Sequence, residues 1–424
     1  MTARFLVGTV FDGLASLPDT SVDLVLSSPP FLALRSYLPP DHPTKVKEIG
    51  SEATPADFLD TLLDVVEACD RVLAPQGSLV FELGDTYAGS GGAGGDYRPD
   101  ELRDGQPRFD GSAARSRSDG AGGKVFRGGT RQPDKVGTGW PLDKSLTFMP
   151  QLFGASLAYG RNLLRPERTT EPWRIRNVVA WCRPNPPVGA LGDKFRPATS
   201  YITVATKSRT RYFDLDAVRT EYAELTLKNK RRVIEGGEPI DNGTKAGHMP
   251  TSMLTHPGAP PLDWWEIPTQ PYKGSHYATW PEDLLVRPIK AMCPERVCRV
   301  CGEPPRRIVE VSYVDANGRP APKGEWRSGV AEGKGAHSLK TEERTTTTTT
   351  LGWTTCGHDD YRRGVVLDPF GGSGTTAQVA TGLGRDCVLI DLDERNALLA
   401  QQRVGMFLEV ETVKRHTEEI EVEA

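Results

Sequence analysis

The chain has 424 residues, of which 52 are Lys or Arg and 56 are Asp or Glu, so its formal net charge at pH 7 is −4. This balance excludes a histone-like protein that coats nucleic acid through a global excess of positive charge, and it confines any such contact to a local basic surface. The sequence contains no apolar run near the roughly 18 residues that cross a bilayer, which predicts a soluble, cytoplasmic protein without membrane contact.

The first part of the chain alternates apolar segments with one amphipathic segment. Residues 4–7 and 22–26 are mostly apolar and predict two strands joined by a polar connection. Thr54 followed by Pro55 is typical of a helix start, and the apolar residues that follow at helical spacing predict a helix. A buried strand is predicted at 78–83, so the order strand, helix, strand indicates an α/β sheet.

Two middle segments lack the apolar periodicity of a core. Residues 88–140 are rich in glycine with scattered Arg and Lys, which predicts a basic loop; contact with nucleic acid and a plain solvated linker are equally weighted alternatives. Residues 209–270 are polar and contain a tryptophan pair near their end. Between these segments, the pattern predicts a helix at 149–164 and strands at 177–181 and 201–206.

The last part of the chain again alternates strands and helices. A threonine run at 345–350 predicts a surface loop without a chemical role. After it, a strand ending at Asp368 precedes a helix that extends to about Leu383. A further strand is predicted at 387–391 and a final helix at 394–408, so the α/β pattern returns.

A Gly-rich turn joins the predicted strand and helix near residue 370. It consists of Asp368, Pro369, Phe370, Gly371, Gly372, Ser373, Gly374, Thr375 and Thr376. Glycines let the backbone approach a ligand, and the helix start offers unpaired N–H groups. The turn lacks the Lys of a phosphate-binding loop, and Asp391 lies at the separation typical of an acid that binds ribose hydroxyls. We therefore predict a site for an adenosine-containing cofactor, which Gly374→Asp should block without unfolding the protein; the alternative is a plain tight turn.

A second motif follows the strand predicted at 22–26. It consists of Ser28, Pro29, Pro30 and Phe31. Such a turn occurs by chance in many loops, so its weight comes from its place at the end of a buried strand in a chain that also carries the Gly-rich turn.

The two motifs resemble those of the β group of amino-methylating DNA methyltransferases, which methylate N4 of cytosine or N6 of adenine. The Gly-rich turn resembles the family's cofactor motif, and Ser-Pro-Pro-Phe resembles its catalytic motif, here in the permuted order in which the catalytic motif comes first. Residues 17–31, 71–87, 181–186 and 276–284 resemble family segments in the expected order. The resemblance implies an α/β, doubly wound, Rossmann-like methyltransferase sheet with loop-rich insertions.

The resemblance also implies a site-specific enzyme that transfers a methyl group from S-adenosylmethionine to a base flipped out of double-stranded DNA. Ser28 Oγ and the Pro29 carbonyl would accept hydrogen bonds from the amine, and Phe31 would stack on the base. Ser in the first position favours N4 of cytosine, because adenine-methylating relatives mostly carry Asp there. An N6-adenine enzyme, an RNA or small-molecule methyltransferase and a catalytically silent DNA-binding relative remain alternatives.

On this interpretation, residues 1–208 form the catalytic half of the methyltransferase, 209–270 a target-recognition region, and 271–424 the cofactor-binding half with an insertion at about 294–360. Two positions depart from the family. Thr9 stands where an Asp is thought to touch the adenine, and Thr199, Ser200 and Tyr201 stand where many members have His-Glu-Tyr. The sequence leaves the oligomeric state open, a homodimer included.

The seven cysteines are odd in number and irregularly spaced, which excludes a simple disulfide framework. Cys298 and Cys301 form a C-x-x-C pair, and Cys356 and His358 form a C-x-H pair at the far end of the insertion. Two such pairs suit tetrahedral zinc, so the sequence predicts a structural zinc knuckle. Four side chains without a metal are the alternative.

Overall fold

The computed structural model describes residues 1–34, 37–38, 41–89, 135–186, 194–221, 258–270, 280–314 and 345–413. Most of the basic loop and of the predicted target-recognition region therefore lies outside the described residues. The chain forms two compact units, which are Met1–Phe213, Asp263–Pro304 and Asp360–Ala424 for the first, and Asp214–Leu262 and Pro305–Asp359 for the second. Within the described ranges, no helix has both the length and the apolar character that a bilayer crossing requires.

Thirteen strands and six α-helices lie within the described residues. The strands are β1 (Ala3–Val7), β2 (Val22–Ser27), β3 (Leu73–Leu83), β4 (Arg174–Cys182), β5 (Thr199–Thr206), β6 (Trp264–Glu266), β7 (Arg296–Cys298), β8 (Arg307–Val314), β9 (Thr345–Trp353), β10 (Tyr361–Arg363), β11 (Val365–Asp368), β12 (Asp386–Asp391) and β13 (Leu408–Thr412). The helices are α1 (Val10–Ala15), α2 (Pro55–Val72), α3 (Met149–Tyr159), α4 (Glu282–Met292), α5 (Thr375–Gly382) and α6 (Arg395–Val404).

The first unit is built on a nine-stranded sheet in the order β13-β1-β12-β11-β2-β3-β5-β4-β6. The six strands from β13 to β3 are parallel to their neighbours, whereas β5 runs antiparallel to both β3 and β4. All six residues of the central strand β2 are buried, as expected for a parallel strand covered on both faces. This arrangement confirms the predicted α/β, doubly wound, Rossmann-like fold.

Helices cover both faces of the sheet. The side chains of Leu389 and Ile390 point to opposite faces of β12, because side chains alternate along a strand. A Cβ atom at Gly13 in α1 would meet Ile390, whereas Cβ atoms at Gly371 and Gly374 would meet Leu389. Helices α1, α2 and α3 therefore form one layer, and α4, α5 and α6 pack as neighbours in the other.

Local sequence explains why α2 begins where it does. Thr54 caps the helix by accepting a 3.2 Å hydrogen bond from the backbone N–H of Asp57, and Pro55 occupies the first helical position. Buried residues of α2, among them Phe58 and Leu62, belong to the main apolar core. The helix start predicted at Thr54 is confirmed.

Two predicted segments have a different structure. The connection between β1 and β2 contains the short helix α1, whose first turn is capped by Thr9 Oγ1 accepting from the N–H of Asp12 at 3.0 Å. The threonine run at 345–350, predicted as a surface loop, lies in β9 and pairs antiparallel with β8 in the second unit. The loop prediction was wrong because threonine is β-branched and favours extended backbone. The run lacks the alternation of apolar and polar residues by which a strand is recognised from sequence.

The order of the parallel strands brings the two sequence motifs together. Strand β11 pairs with β2 in the register Val366↔Leu24 and Leu367↔Val25, so the two strands end at the same edge of the sheet. The Gly-rich turn follows β11, and Ser28 follows β2. Ligands of such sheets bind at the carboxyl ends of the strands, so both motifs lie where a ligand is expected.

Candidate active site

A buried hydrogen-bond cluster around Asp368 joins the two motifs. Ser27 Oγ donates to Asp368 Oδ1 at 2.5 Å, and Thr376 Oγ1 donates to Asp368 Oδ2 at 2.5 Å. The backbone N–H of Phe370 also donates to Oδ1, at 3.1 Å. Burial raises the pKa of Asp368, while these donors oppose the shift. The carboxylate therefore holds the Gly-rich turn against the end of β2, directly before Ser28.

Both motifs border the same cavity in the first unit. From the Gly-rich turn it is lined by Asp368, Pro369, Phe370, Gly371, Gly372, Ser373 and Thr375, with Asp391 beside them. Ser28 and Pro30 line it from the second motif. The other residues of the two motifs, which are Pro29, Phe31, Gly374 and Thr376, are not among its lining residues. Its wall is completed by Thr9, Val10, Tyr37, Leu38, Lys47, Glu48, Ile49, Trp280, Leu392, Asp393 and Asn396.

The glycines of the turn have different roles. Gly374 has φ +83°, and a Cβ atom there would lie 2.7 Å from Ala400 Cβ in α6. Gly372 has φ +49°, and a Cβ atom there would meet only the Phe370 carbonyl, at 3.9 Å. Gly374→Asp would therefore disrupt the packing of α6 rather than the cavity alone, which overturns the expectation that this substitution leaves the fold intact.

Asp391 lies where β12 ends at the cavity. Its Oδ2 accepts from the N–H of Gly372 at 2.7 Å, and its Oδ1 accepts from the N–H of Asp393 at 2.8 Å and from Asn396 Nδ2 at 3.1 Å. Desolvation raises the pKa of Asp391 to about 6, and the negative charge of Asp393 acts in the same direction. The carboxylate is thus fixed in position and ionised at neutral pH.

Glu82 is a site residue that the sequence motifs did not identify. Ser28 Oγ donates a 2.6 Å hydrogen bond to Glu82 Oε2. Because the serine proton points to Glu82, the lone pairs of Ser28 Oγ remain available to accept from another donor. A carboxylate within the otherwise apolar segment at 79–83 is unusual for a buried strand, and this was the feature that could have revealed it.

The surroundings of Glu82 are polar and buried. Burial raises the pKa of Glu82, whereas hydrogen bonds from Ser200 and Ser28 and the positive charge of Arg183 lower it. Arg183 Nη1 also donates to Ser200 Oγ at 3.3 Å. Ser200 belongs to the triplet that departs from the family pattern, so this departure lies beside the carboxylate that contacts Ser28.

The ring of Phe31 lies against the carboxyl end of β3. A Cβ atom at Gly84 would be 2.5 Å from Phe31 Cε2, so only glycine leaves room for the ring there. Phe31 is half-buried and packs against the main core. Its orientation is therefore set by the same strand that carries Glu82.

The two residues of each predicted metal-binding pair lie close together. Cys298 ends β7, and the turn after it closes through a 3.0 Å hydrogen bond from the N–H of Gly302 to the Cys298 carbonyl. The sulfur atoms of Cys298 and Cys301 lie within 4.8 Å of each other. In the second unit, the sulfur of Cys356 and a ring nitrogen of His358 also lie within 4.8 Å of each other. Binding of one ion by both pairs stays a prediction.

Comparisons with known proteins agree with the motifs. A family model for N6- and N4-methyltransferases, described as DNA methylase, matches residues 22–298 and 359–402. Type II methyltransferase M.SmaI of Serratia marcescens is 22% identical over 405 residues, which cover 95% of this chain and 91% of the relative. Type II methyltransferase M.Cfr9I of Citrobacter freundii is 26% identical over 283 residues, which cover 65% of this chain and 70% of the relative.

Among solved structures, PvuII DNA methyltransferase (cytosine-N4-specific) aligns with a TM-score of 0.46 and 12% identity, covering 94% of this chain and 86% of that chain. The family model matches well over half of the chain, and its match includes both the segment of Ser28 and the segment of the Gly-rich turn. The chain therefore belongs to the N6/N4 DNA methylase family.

Proposed function

We propose that this protein transfers a methyl group from S-adenosylmethionine to the exocyclic N4 amine of cytosine in double-stranded DNA. The observation that carries the proposal is the cavity that the Gly-rich turn, Asp391 and Ser28 line together. A cofactor on the turn would thereby present its reactive end to the side chain that contacts the substrate amine. Membership of the DNA methylase family supports the reaction class.

The residues of the cavity fit an adenosine cofactor that carries no phosphate. The turn has no Lys, and a carboxylate at Asp391 favours hydroxyl donors over phosphate. Among the described residues, Ser373 Oγ and Asn396 Oδ1 are buried without a hydrogen-bond partner, and both residues line the cavity. Buried polar groups are normally hydrogen-bonded, so these two atoms are expected to bind ligand groups.

Ser28 activates the substrate amine. The lone pair of an exocyclic amine is delocalised into the base, which makes the amine a poor nucleophile. Hydrogen bonds from the amine to Ser28 Oγ and to the Pro29 carbonyl localise that lone pair, and the two prolines hold both acceptors in place. The sulfonium of the cofactor, when bound, supplies the electrophilic methyl group.

Glu82 takes up the proton that the reaction releases. The amine nitrogen forms a bond to the methyl carbon as the carbon–sulfur bond breaks, and the nitrogen then has one proton in excess. Ser28 Oγ receives that proton while it passes its own to Glu82 Oε2, 2.6 Å away. Because burial raises the pKa of Glu82, this carboxylate is a better proton acceptor than an exposed one.

The choice of cytosine depends on Ser28. A neutral hydroxyl is a weaker acceptor than the Asp found in most adenine-methylating relatives, and Ser-Pro-Pro-aromatic goes mostly with the N4 amine. An N6-adenine enzyme with the same geometry is the second candidate. We propose residues 209–270 as the target-recognition region, because this polar segment joins the two halves of the methyltransferase sequence.

Methyl transfer from labelled S-adenosylmethionine tests the reaction class. The purified chain is incubated with double-stranded DNA from a methylation-free host, with RNA of similar length and with no nucleic acid. We expect label in DNA alone. Label in RNA but not in DNA would contradict the proposed substrate.

Cofactor affinity should depend on pH through Asp391. Desolvation raises its pKa to about 6, and hydrogen bonds from ribose hydroxyls favour the ionised form. Affinity should therefore be full at pH 7 and fall by up to about tenfold per pH unit below 6. Calorimetric titration between pH 5 and 7 measures the affinity. Asn at position 391 does not ionise, so any pH dependence that Asp391→Asn keeps comes from the ligand or from other groups. A wild-type affinity that changes no more than that of the variant would refute the role of Asp391.

We propose that Cys298, Cys301, Cys356 and His358 bind one structural zinc ion, on the basis of their paired spacing. Protein purified without chelator should contain about one zinc per chain, and Cys301→Ser should lower the zinc content and the melting temperature. Cys182→Ser, outside both pairs, should change neither quantity. Elemental analysis and thermal unfolding check this, and metal-free wild-type protein of undiminished stability would contradict it.

A further inference from the structure

The carboxylate of Asp391 is nearly saturated with hydrogen bonds. A carboxylate accepts about four hydrogen bonds, two on each oxygen. Among the described residues, Asp391 Oδ1 already accepts from the Asp393 N–H and from Asn396 Nδ2, and Oδ2 accepts from the Gly372 N–H. About one acceptor position remains, on Oδ2. One carboxylate with one remaining position serves one ribose hydroxyl, and a ribose has two.

Asn396 offers the missing acceptor. The residue is 3% exposed, and it lines the same cavity as Asp391. Its amide nitrogen Nδ2 donates to Asp391 Oδ1 at 3.1 Å, so the nitrogen is the end of the amide that faces the carboxylate. The amide oxygen is left to accept a hydrogen bond from another donor. Within the part of the chain that the structure describes, this oxygen is buried without a hydrogen-bond partner. An unpaired buried acceptor is costly, so its retention indicates a donor from a ligand.

The geometry of the Asn396 amide suits a second acceptor beside Asp391. Oδ1 and Nδ2 of Asn396 share one carbon, so the oxygen lies close to the carboxylate that Nδ2 contacts. The two hydroxyls of a ribose stand on neighbouring carbons and need two neighbouring acceptors.

We propose that the two ribose hydroxyls of the cofactor are shared between Asp391 Oδ2 and Asn396 Oδ1, so that Asn396 is a second binding residue for the ribose. This inference rests on the proposed use of an adenosine cofactor. It modifies the expectation that Asp391 receives both hydroxyls.

The test uses S-adenosylhomocysteine and its 2′-deoxy and 3′-deoxy analogues, titrated into wild type and Asn396→Leu at pH 7. In wild type, removal of either hydroxyl should weaken binding about tenfold, the cost of one buried hydrogen bond. In Asn396→Leu, one deoxy analogue should bind as well as the parent compound, whereas the other should keep its penalty. That kept penalty, together with an unchanged unfolding transition, shows that the variant retains the site.

Three other outcomes would overturn the inference. If Asn396→Leu keeps both deoxy penalties at wild-type size, Asp391 receives both hydroxyls and the inference is wrong. If both penalties shrink together, Asn396 acts only by holding Asp391, and the inference is also wrong. Failure of the wild-type protein to bind S-adenosylhomocysteine at all would overturn the proposed cofactor, and this inference with it.

Discussion

Replacing Ser28 with alanine is expected to lower the turnover number by about 10²-fold or more while the affinity for S-adenosylmethionine stays close to that of wild type. The hydroxyl is the side-chain acceptor for the substrate amine, and its own proton is held by Glu82 at 2.6 Å. Alanine removes the acceptor and the proton path together. Single-turnover methyl transfer measures the first quantity, and calorimetric titration measures the second.

Two further variants make this result specific. Ser21→Ala removes a serine hydroxyl that donates to the Pro18 carbonyl away from the cavity, and it should leave turnover unchanged. Glu82→Gln keeps an acceptor for Ser28 but removes the carboxylate, so turnover should fall while cofactor affinity persists. A fully active Ser28→Ala would remove the proposed role of Ser28, and a fully active Glu82→Gln would remove that of Glu82.

Replacing Gly372 with aspartate is expected to weaken cofactor binding by more than about 10²-fold while the protein stays folded. Gly372 lines the cavity, and a Cβ atom there would meet only the Phe370 carbonyl, at 3.9 Å. The new side chain would therefore enter the cavity next to Asp391, where a second negative charge is repelled. The positive φ costs about 1–2 kcal/mol for a residue with a side chain, which a folded domain tolerates.

Gly384→Asp is the matched control for this substitution. Gly384 also has a positive φ, +79°, and a Cβ atom there would meet nothing within 4 Å, but it lies outside the cavity in the turn between α5 and β12. The control should lose similar stability and keep wild-type cofactor affinity. Calorimetric titration and thermal unfolding of both variants compare the two effects. Equal affinity of Gly372→Asp and wild type would show that the cofactor does not approach this part of the turn.

The elements that sequence predicted correctly are those defined by local chemistry. The cap at Thr54, the strand at 22–26 and the strand-to-helix turn after Asp368 depend on residues that are neighbours in the chain. Their capping, burial and turn preferences could therefore be recognised without tertiary information.

The parts that sequence missed depend on pairing between distant segments. The register of β2 and β3 places Ser27 opposite Phe81, which brings the next residues, Ser28 and Glu82, within hydrogen-bonding distance. No local pattern encodes that register. The position of Asn396 beside Asp391 likewise depends on how the chain turns from β12 into α6, which periodicity does not define.

The role of Gly374 also depends on a contact between distant segments of the chain. Sequence placed it in a ligand-binding turn, and the turn is present at the cavity. Its missing side chain makes room for Ala400 in α6, a residue 26 positions later in the chain. Whether a glycine faces a ligand or a neighbouring helix is decided by packing, and only the structure separates Gly372 from Gly374.

Nucleoside analysis of modified DNA identifies the base that the protein methylates. DNA from a methylation-free host that expresses this chain is digested to nucleosides and analysed by mass spectrometry, beside DNA from the same host expressing Ser28→Ala. We expect N4-methylcytosine with the wild-type chain, almost none with the variant, and no excess of N6-methyladenine with either. N6-methyladenine as the only product would contradict the assignment of the base, and the absence of any methylated base would contradict the proposed function itself.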